Sequence, residues 1–312
     1  MRLCVAAVFV GSLVAGCAPA RDLTTDTANL RCEFGAGQSL GPLVNSATFD
    51  GSPTVSADET ELFFTTNREG GGDILFATRP SRDAPWGAPV NAGPMINDSL
   101  GGDFSLRLSH DGNALYFASN RRGGHGAADM YVATRASRDA PWTRAVNLGP
   151  VLNTDAFEAF PTPSADGLTL YFNRSATFDS QDSDIWVTTR GSVNDTWGAP
   201  QKLAATFNSP RAEFSPSVTA DGNTMYFASE RDGAVELWVA RRASPHQEWG
   251  APEKIGGEVN VARSMTLAPF ISSNELSLYF MSARQDSAVA AICTPQTCFD
   301  RVDLYVASRR CR

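Results

Sequence analysis

The sequence is poor in the groups that most enzymes use for catalysis or nucleotide binding. It has three histidines, His110, His125 and His246, and each lies in a turn or loop segment. No glycine–serine pattern typical of a nucleophile elbow is present, and no glycine-rich phosphate-binding loop is found. A Ser–His–Asp arrangement cannot be assembled from the spacing of these residues, so the sequence predicts no catalytic residue.

Positive charge is also scarce. Lys and Arg together number 26 against 34 Asp and Glu, which leaves a formal net charge of −8. Nucleic acids are bound through a basic surface, and no cluster of Lys or Arg overrides the acidic balance of this chain. The composition therefore argues against nucleic acid as a partner.

Long apolar runs are absent except at the N-terminus. Residues 3–14 form a largely apolar run of 12, which is too short to span a bilayer stably. The run follows Arg2 and ends in "LVAGC", which resembles a bacterial lipobox, in which Cys17 becomes the lipidated first residue. An ordinary secretory signal with a chance cysteine is the alternative. We expect a lipoprotein signal peptide at residues 1–16 and a linker at 17–30. Ala18 stands where inner-membrane retention commonly has aspartate, which favours the outer membrane.

What the sequence does contain is an internal repeat. Five alternating segments, rich in aromatic and β-branched residues and typical of strands, begin at Glu61, Ala114, Thr169, Thr224 and Ser277. The polar turns before them contain Asp58, Asp111, Asp166, Asp221 and Ser273, and these positions recur every 52 to 55 residues. A further strand such as "DILFATR" and a tryptophan-led segment such as "WGAPVNAG" follow. With the short strand before each turn, every unit has four antiparallel strands, and no stretch shows convincing helical periodicity.

Four-stranded units repeated around an axis form a β-propeller, in which each blade packs on its neighbours. The segments "LSHDGNALYFASNRRGGHGAADMYVATR" and "VTADGNTMYFASERDGAVELWVARR", which begin at Leu108 and Val218, resemble the repeats of the TolB-type, WD-repeat-like β-propeller family. The resemblance covers residues 31–312. It implies the fold rather than one function, because this architecture hosts many tasks. A β-sandwich or an open solenoid is the alternative architecture.

The two ends of the chain are predicted to complete one blade. The fifth unit stops after its third strand at "DLYVASRRCR", whereas "FGAGQSLGPLVNS" from Phe34 aligns with "WGAPVNAGPMIND" from Trp86. Phe34 then takes the place of a tryptophan, and the ring closes at five blades without an unpaired sheet edge. We predict an all-β, five-bladed propeller of four-stranded antiparallel blades at residues 31–312. Its repeats span about 45–98, 99–153, 154–208, 209–260 and 261–312 plus 31–44.

The cysteines support this closure. The first of the six lies in the signal peptide and Cys17 is expected to be lipidated, which leaves an even number for disulfides in an exported chain. In the repeat alignment, Cys32 and Cys311 fall three positions apart in one tight connection, within reach of a disulfide. We predict that bond and a local bond between Cys293 and Cys298 in "CTPQTC". A four-cysteine metal site is the alternative, which the spacing and an oxidising compartment disfavour.

A carboxylate recurs eight residues before each turn aspartate. The four acids are Asp50, Asp103, Glu158 and Glu213, and Met265 occupies the fifth place. Because the first strand of a propeller blade lines the central channel, the acids are candidates for a ring there. Three interpretations remain open: hydrogen bonding to the backbone at a strand start, a site for a cation or polar ligand, and paired-carboxylate glycoside hydrolysis. The near-symmetric repetition disfavours catalysis, which requires two acids of different pKa.

Two further recurrent sets are predicted to stabilise the fold. The third strands open with Asp73, Asp129, Asp184, Glu236 and Asp303, and the second strands close with Arg68, Arg121, Arg231 and Arg284. We expect ion pairs between these two sets. The third-strand aromatics Trp186, Trp238, Tyr131 and Tyr305 are expected to pack between blades.

The segment "FDSQDSD" (residues 178–184) contains three aspartates and is a candidate for a calcium site. A solvated acidic loop is the favoured interpretation, and no other metal or cofactor is expected.

Together these patterns predict a non-enzymatic, lipid-anchored protein of the bacterial cell envelope that presents a propeller for protein or glycan binding. The resemblance to TolB implies an interaction hub in the periplasm. We expect envelope proteins or glycans as partners, membrane contact through the lipid anchor only, and a monomer on the periplasmic or surface face of the outer membrane. The alternatives are a glycosidase-like, carbohydrate-active enzyme that uses the channel carboxylates, and a purely structural envelope component.

Overall fold

The computed structural model describes residues 32–178, 180–262, 264–284 and 302–311. These ranges contain no helix, and their strands form five antiparallel sheets. The first strands of successive sheets contact one another in a closed cycle around the molecule. The predicted all-β, five-bladed propeller is therefore confirmed.

The strands of each blade follow one another along the chain from the centre of the ring outward. Blade 1 has β3 (Asp50–Val55), β4 (Glu61–Thr66), β5 (Asp73–Thr78) and β6 (Val90–Asn91); blade 2 has β7 (Asp103–Leu108), β8 (Ala114–Ser119), β9 (Asp129–Thr134) and β10 (Val146–Asn147). Blade 3 has β11 (Phe157–Pro163), β12 (Thr169–Ser175), β13 (Asp184–Thr189) and β14 (Gln201–Lys202); blade 4 has β15 (Glu213–Val218), β16 (Thr224–Ser229), β17 (Glu236–Arg241) and β18 (Glu253–Lys254). Blade 5 has β19 (Thr266–Ile271), β20 (Ser277–Ser282) and β21 (Asp303–Cys311), completed by β1 (Cys32–Phe34) and β2 (Gln38–Ser39).

The second strands lie in the middle of the core. In β4 and β20 every residue is buried, because a blade packs on a neighbour through each of its faces. One phenylalanine per second strand has no exposed surface: Phe64, Phe117, Phe172, Phe227 and Phe280. Burying such a side chain stabilises the fold by roughly 1.5–3 kcal/mol, so the hydrophobic stabilisation is spread over the interfaces between blades.

The N-terminal strands close the last blade. Both β1 and β2 pair with β21, and Gln38 lies opposite Val306. Phe34 is 6% exposed, and the guanidinium carbon of Arg309 lies 5.5 Å from the centre of its ring. Phe34 therefore occupies the position that a tryptophan has in the other four blades.

One asparagine per blade shows where this closing segment ends. In blade 1 the Asn97 side chain accepts the N–H of Ile74 at 2.9 Å and donates to its carbonyl oxygen at 2.9 Å, across 23 positions. The same pair of bonds recurs in blades 2, 3 and 4. Asn45 makes it with Leu304, 259 positions away. The segment from Cys32 to Asn45 therefore belongs to blade 5.

The predicted disulfide between Cys32 and Cys311 is present. The propeller body comprises Glu33–Arg310. Cys17, Cys293 and Cys298 lie outside the described residues, so lipidation and the second disulfide stay predictions. In the part of the chain that the structure describes, no helix is long and apolar enough to cross a membrane.

An arginine after each third strand couples its blade to the preceding one. The guanidinium carbon of Arg242 lies 4.1 Å from the ring centre of Trp249 in its own blade, and Arg242 donates to the Tyr171 hydroxyl of blade 3 at 3.1 Å. Arg135 of blade 2 donates two hydrogen bonds to the Glu61 carboxylate of blade 1, at 2.7 and 3.1 Å. Bonds of this charge-assisted kind are stronger than those between neutral groups, so they fix the order and angle of the blades.

Every first strand has a bulge near its middle. The register between first and second strands shifts there in all five blades. The bulge residues Ser52, Ser105, Phe160, Ser215 and Ala268 have φ between 49° and 56°. This left-handed conformation costs a residue other than glycine roughly 1–2 kcal/mol. The bulges therefore store strain in a ring at the centre of the propeller.

Candidate functional site

The four recurrent first-strand acids are completely buried. Each faces an arginine of its own blade: Asp50 with Arg68 at 2.7 Å, Asp103 with Arg121, Glu158 with Arg174 at 2.7 Å, and Glu213 with Arg231 at 3.2 Å. In the described residues no three His, Cys, Asp or Glu side chains are placed to hold a metal ion. The acids are therefore paired with arginines rather than gathered with one another.

Backbone and hydroxyl groups complete the surroundings of these carboxylates. Glu213 accepts hydrogen bonds from the backbone N–H and the hydroxyl of Ser209, at 2.8 and 2.6 Å, and from the Ser229 hydroxyl at 2.7 Å. Asp50 accepts the Ser46 N–H at 2.5 Å and its hydroxyl at 2.7 Å. Hydrogen bonds of this kind fix the loop that leads into the first strand. The ligand role of the four acids stays a prediction.

The register identifies the fifth member of this set. Thr266 lies opposite Ser282, as Asp103 lies opposite Ser119 in blade 2. Thr266, rather than Met265, is therefore the counterpart of the acids. Counting back eight residues from Ser273 misses it, because the counterpart of the turn aspartates is Asn274, which accepts the Ser272 hydroxyl as Asp58 accepts the Ser56 hydroxyl.

The pairing predicted between third-strand acids and second-strand arginines is wrong. Among the described third-strand acids, Asp184 pairs with Lys202, and Glu236 pairs with Lys254 at 2.5 Å. Asp129 accepts two backbone N–H groups. The arginines reach the first-strand acids instead, where the low dielectric of the interior strengthens the attraction.

The arginines also cover the third-strand aromatics. The guanidinium carbons of Arg121 and Arg231 lie 4.7 and 4.9 Å from the ring centres of Tyr131 and Trp238. Tyr131, Trp238 and Tyr305 are buried, which agrees with their predicted place between blades, and Trp186 is half-buried. These aromatic residues therefore pack against the arginines of their own blades.

Asp303 is the first residue of β21, and its ionised form, which predominates at neutral pH, is destabilised by its surroundings. Burial, and to a lesser degree the charge of Asp50, raises the pKa of Asp303 to about 6. A carboxyl whose pKa is raised on folding weakens the fold as the pH rises from about 4 to about 6, and the full cost remains above that. We expect Asp303→Asn to stabilise the protein at pH 7 by about 1–2 kcal/mol, with solvent screening discounted, and to have no effect near pH 4.

Thermal melts of the two proteins at both pH values would check this expectation. Asp184→Asn is the matched control, because Asp184 opens the equivalent strand and has Lys202 as its partner. That variant should gain no stability at pH 7. Equal melting temperatures of Asp303→Asn and the parent protein at pH 7 would contradict the account.

The loop considered as a calcium candidate is described in part. Asp179 lies outside the described residues. Of the two other aspartates, Asp182 accepts the Ser180 hydroxyl and Asp184 pairs with Lys202. The calcium site therefore stays a prediction. The same loop begins with Phe178, which lines a cavity.

A wide concave surface lies at the end of the ring where the first strands begin. Two cavities of about 330 and 680 Å³ adjoin there and share the side chains of Phe157, Phe160 and Phe178. We call this surface the aromatic cleft, defined by Phe49, Phe104, Phe157, Phe160, Phe178, Phe214, Met265 and Met281. Its size is that of a ligand pocket, and an apolar wall with a few polar groups is what such pockets share.

The phenylalanines form a continuous wall across blades 2, 3 and 4. The rings of Phe104 and Phe157 are stacked with centres 6.0 Å apart, and Phe178 meets Phe157 edge-on at 5.6 Å. Phe160 and Phe214 lie 6.5 Å apart. Phe178 is 58% exposed, so the wall presents a large apolar group to solvent. Exposed apolar surface of this kind marks interaction sites.

Phe160 is the strained member of this wall. It occupies the bulge of β11 with φ 53°, where the other four blades have serine or alanine. A bulky residue in this conformation is an outlier, and such strain is typical of functional positions. Phe160 also lines both cavities of the aromatic cleft. The strain therefore places an aromatic ring at the centre of the cleft.

Two residues that line the cleft each have a side-chain oxygen without a partner among the described residues. The side-chain oxygens of Asn173 and Thr65 are buried and have no hydrogen-bond partner in the described structure. Each residue lines one of the two cavities. A buried acceptor without a partner costs about 1–3 kcal/mol, so a ligand that donates to it gains that energy. Among the described lining residues, Glu230 is the one acid.

The aromatic cleft could not be located from the repeat. Its first-strand phenylalanines, Phe104 and Phe214, follow the buried acid in the sequence, where an apolar residue also suits a blade interface. The available signal was Phe160, a single aromatic at a position that is small in every other repeat. An irregular residue in a regular repeat is a sign of function.

No protein-family model and no curated protein sequence matches the chain. Its fold is similar to the catalytic domain of a family GH62 α-L-arabinofuranosidase from Coprinopsis cinerea, with TM-score 0.58, 10% identity, and 90% of this chain and 97% of that chain covered. An α-L-arabinofuranosidase from Podospora anserina has TM-score 0.57, 13% identity, and coverage of 89% and 97%. TolB from Agrobacterium tumefaciens has TM-score 0.49, 14% identity, and coverage of 90% and 91%. At this identity the likeness to the two arabinofuranosidases is one of fold alone, and the chain shares with them the β-propeller fold.

Proposed function

We propose that this protein is a non-enzymatic binding protein of the bacterial cell envelope, and that its aromatic cleft holds apolar side chains of a partner protein. The observation that carries the proposal is the wall of phenylalanines with Phe160 strained at its centre. Aromatic groups dominate the energy of protein interfaces, because they bury a large area with little loss of conformational freedom. The exposed ring of Phe178 extends this wall to the rim.

The chemistry of the cleft favours a polypeptide over a glycan. Phenylalanine contributes no hydrogen bond, and each hydroxyl of a bound sugar that loses water without a new partner costs free energy. A peptide has apolar side chains for the wall and backbone N–H groups for the free oxygens of Asn173 and Thr65. The cleft would therefore bind a segment that combines both.

A glycosidase-like enzyme is the second candidate, because two structural neighbours are α-L-arabinofuranosidases. Glycoside hydrolysis uses two carboxyl groups on either side of the scissile bond. The described lining of the cleft has Glu230 alone, and the recurrent first-strand acids are buried and paired with arginines. This arrangement favours binding over hydrolysis. Release of sugar from envelope glycans by the purified protein, lost in Glu230→Gln, would establish the second candidate.

The proposal places the propeller at the outer membrane on a lipid attached to Cys17, as a monomer. Its support is the apolar N-terminal run that ends in "LVAGC" with Ala18 after it. Acyl chains on one residue anchor a protein stably only when more than one is attached. Labelling with a fatty acid should mark the parent protein, and Cys17→Ser should abolish the label.

Site-directed photo-crosslinking tests the cleft directly. A photoreactive phenylalanine analogue at position 178 is expected to give a protein adduct in intact envelopes, because this side chain lies on the cleft wall. Position 276 is the matched control, since Leu276 is 47% exposed but lies at the other end of the ring. The absence of an adduct at 178, or the same adducts at both positions, would count against the proposal.

A further inference from the structure

A second, smaller cavity lies at the end of the ring where the first strands stop. It has a volume of about 40 Å³, and Arg107, Ser109, His110, Ser217 and Ser273 are among its lining residues. This is room for about three water molecules. No aspartate or glutamate is found among its described lining residues, although the chain has a net charge of −8. The cavity is therefore locally free of negative charge.

Arg107 crosses the centre of the ring beneath this cavity. Its Nη2 donates to the carbonyl oxygens of Pro216 and Pro269, at 3.0 and 3.1 Å, and its Nε donates to the Thr162 hydroxyl oxygen at 3.3 Å. Its guanidinium carbon lies 5.0 Å from the ring centre of Phe270. One side chain of blade 2 thus contacts blades 3, 4 and 5.

The charge of Arg107 has no counterion among the described residues. The side chain is 5% exposed, and its Nη1 is buried without a hydrogen-bond partner. Burial lowers the pKa of Arg107 to about 9. An unpaired buried charge costs several kcal/mol, and removal from water is offset only by a close group of opposite sign.

A second donor lies in the same cavity. The Ser217 oxygen accepts the N–H of Ile271 at 3.1 Å, and its own proton has no acceptor in the described structure. The carboxylates of the nearby turns are occupied locally; Asp111, for example, accepts the Ser109 hydroxyl at 2.6 Å and the Asn113 N–H at 3.0 Å. Two residues whose donors lack acceptors in the described structure therefore line a cavity that has no carboxylate in its described lining.

We propose that this cavity is a binding site for a small monovalent anion of the size of chloride, held by Nη1 of Arg107 and the Ser217 hydroxyl. The anion neutralises a charge that reaches three other blades, so its binding stabilises the closed ring. A ligand that binds the folded state alone raises stability in proportion to the logarithm of its concentration. The site is separate from the aromatic cleft and does not depend on the function proposed for it.

Bromide, which replaces chloride and scatters anomalously, tests the site without any substitution. Crystals of the full chain grown or soaked in sodium bromide should show an anomalous peak within hydrogen-bonding distance of Arg107 Nη1. A peak at this position supports the proposal. A data set with anomalous peaks elsewhere and none in this cavity overturns it.

Thermal melts give the second test. At constant ionic strength, replacement of gluconate, which is too large for the cavity, by chloride should raise the melting temperature by about 3 °C and then saturate. Arg107→Met should abolish this rise, whereas Arg122→Met, at an exposed arginine on a loop at the other end, should keep it. An equal rise in Arg107→Met overturns the proposal, and if that variant does not fold, the bromide experiment decides alone.

Discussion

Deletion of residues 31–42 is expected to abolish the folded monomer, whereas deletion of residues 18–30 should leave the propeller unchanged. The first deletion removes β1 and β2, Phe34 and the disulfide partner of Cys311. Burial of one such aromatic is worth about 1.5–3 kcal/mol, and a disulfide that closes a loop of this length about 5 kcal/mol. Together they approach the total stability of a typical domain, about 5–15 kcal/mol.

The loss would also expose the edge of β21. A nine-residue strand with unpaired backbone groups is a template for association with other chains. Size-exclusion chromatography with light scattering should show aggregates or oligomers for the first deletion and a monomer for the second. A cooperative melt of monomeric protein lacking residues 31–42, at an unchanged temperature, would show that these strands do not close the ring.

Substitution of Arg121 by methionine is expected to cost about 3–5 kcal/mol. Arg121 pairs with Asp103, which has no exposed surface, and removal of one partner leaves an uncompensated buried charge. Burial already raises the pKa of Asp103, and Arg121 opposes that shift. The melting temperature at pH 7 should fall by about 10 °C.

The pH dependence identifies the cause. Without Arg121 the folded-state pKa of Asp103 rises further above the unfolded value, so the deficit is full at neutral pH and shrinks as the pH falls towards 4. Arg241→Met is the matched control, since Arg241 is 57% exposed and its partner Glu253 is 74% exposed. An exposed pair contributes about 0–1 kcal/mol, so this variant should melt near the parent protein. A deficit for Arg121→Met that is the same at pH 7 and pH 4 would contradict the account.

The closure of the ring was predictable because the repeat continues from the C-terminus to the N-terminus. Phe34 keeps the spacing of the tryptophans, and Cys32 and Cys311 then fall together. The asparagine typified by Asn97 recurs in every blade and extends the closing segment to Asn45, so this signal was also in the sequence. Periodicity determines the position of a residue along the repeat.

Periodicity does not determine which neighbour a long side chain reaches. The repeat marks the first-strand acids as a set but does not determine their partners, because an arginine can reach either adjacent strand. Arg174 does not follow the repeat. It lies five residues after the first residue of its second strand, whereas Arg68 and Arg121 lie seven residues after theirs. Only the register shows that it takes the same role towards Glu158.

The two candidate binding sites depend on departures from the repeat. Phe160 and Arg107 each lie on a first strand, at positions where the other blades have different side chains. Their direction follows from the bulge, since an extra residue in a strand reverses the face that later side chains occupy. The residue with positive φ in each bulge is not glycine, so the sequence does not indicate the bulge. Alternation alone therefore could not place either residue.

If the aromatic cleft binds a partner protein, Phe160→Ser should bind that partner more weakly than the parent protein does. The partner identified by crosslinking at position 178 would be titrated against the purified parent protein and this variant. Serine stands at the same position in blades 1, 2 and 4, so the fold should be kept while the centre of the wall is lost. We predict a loss of affinity of at least about thirtyfold, the equivalent of 2 kcal/mol at an interface hot spot. Unchanged affinity in a variant that melts like the parent protein would contradict the account.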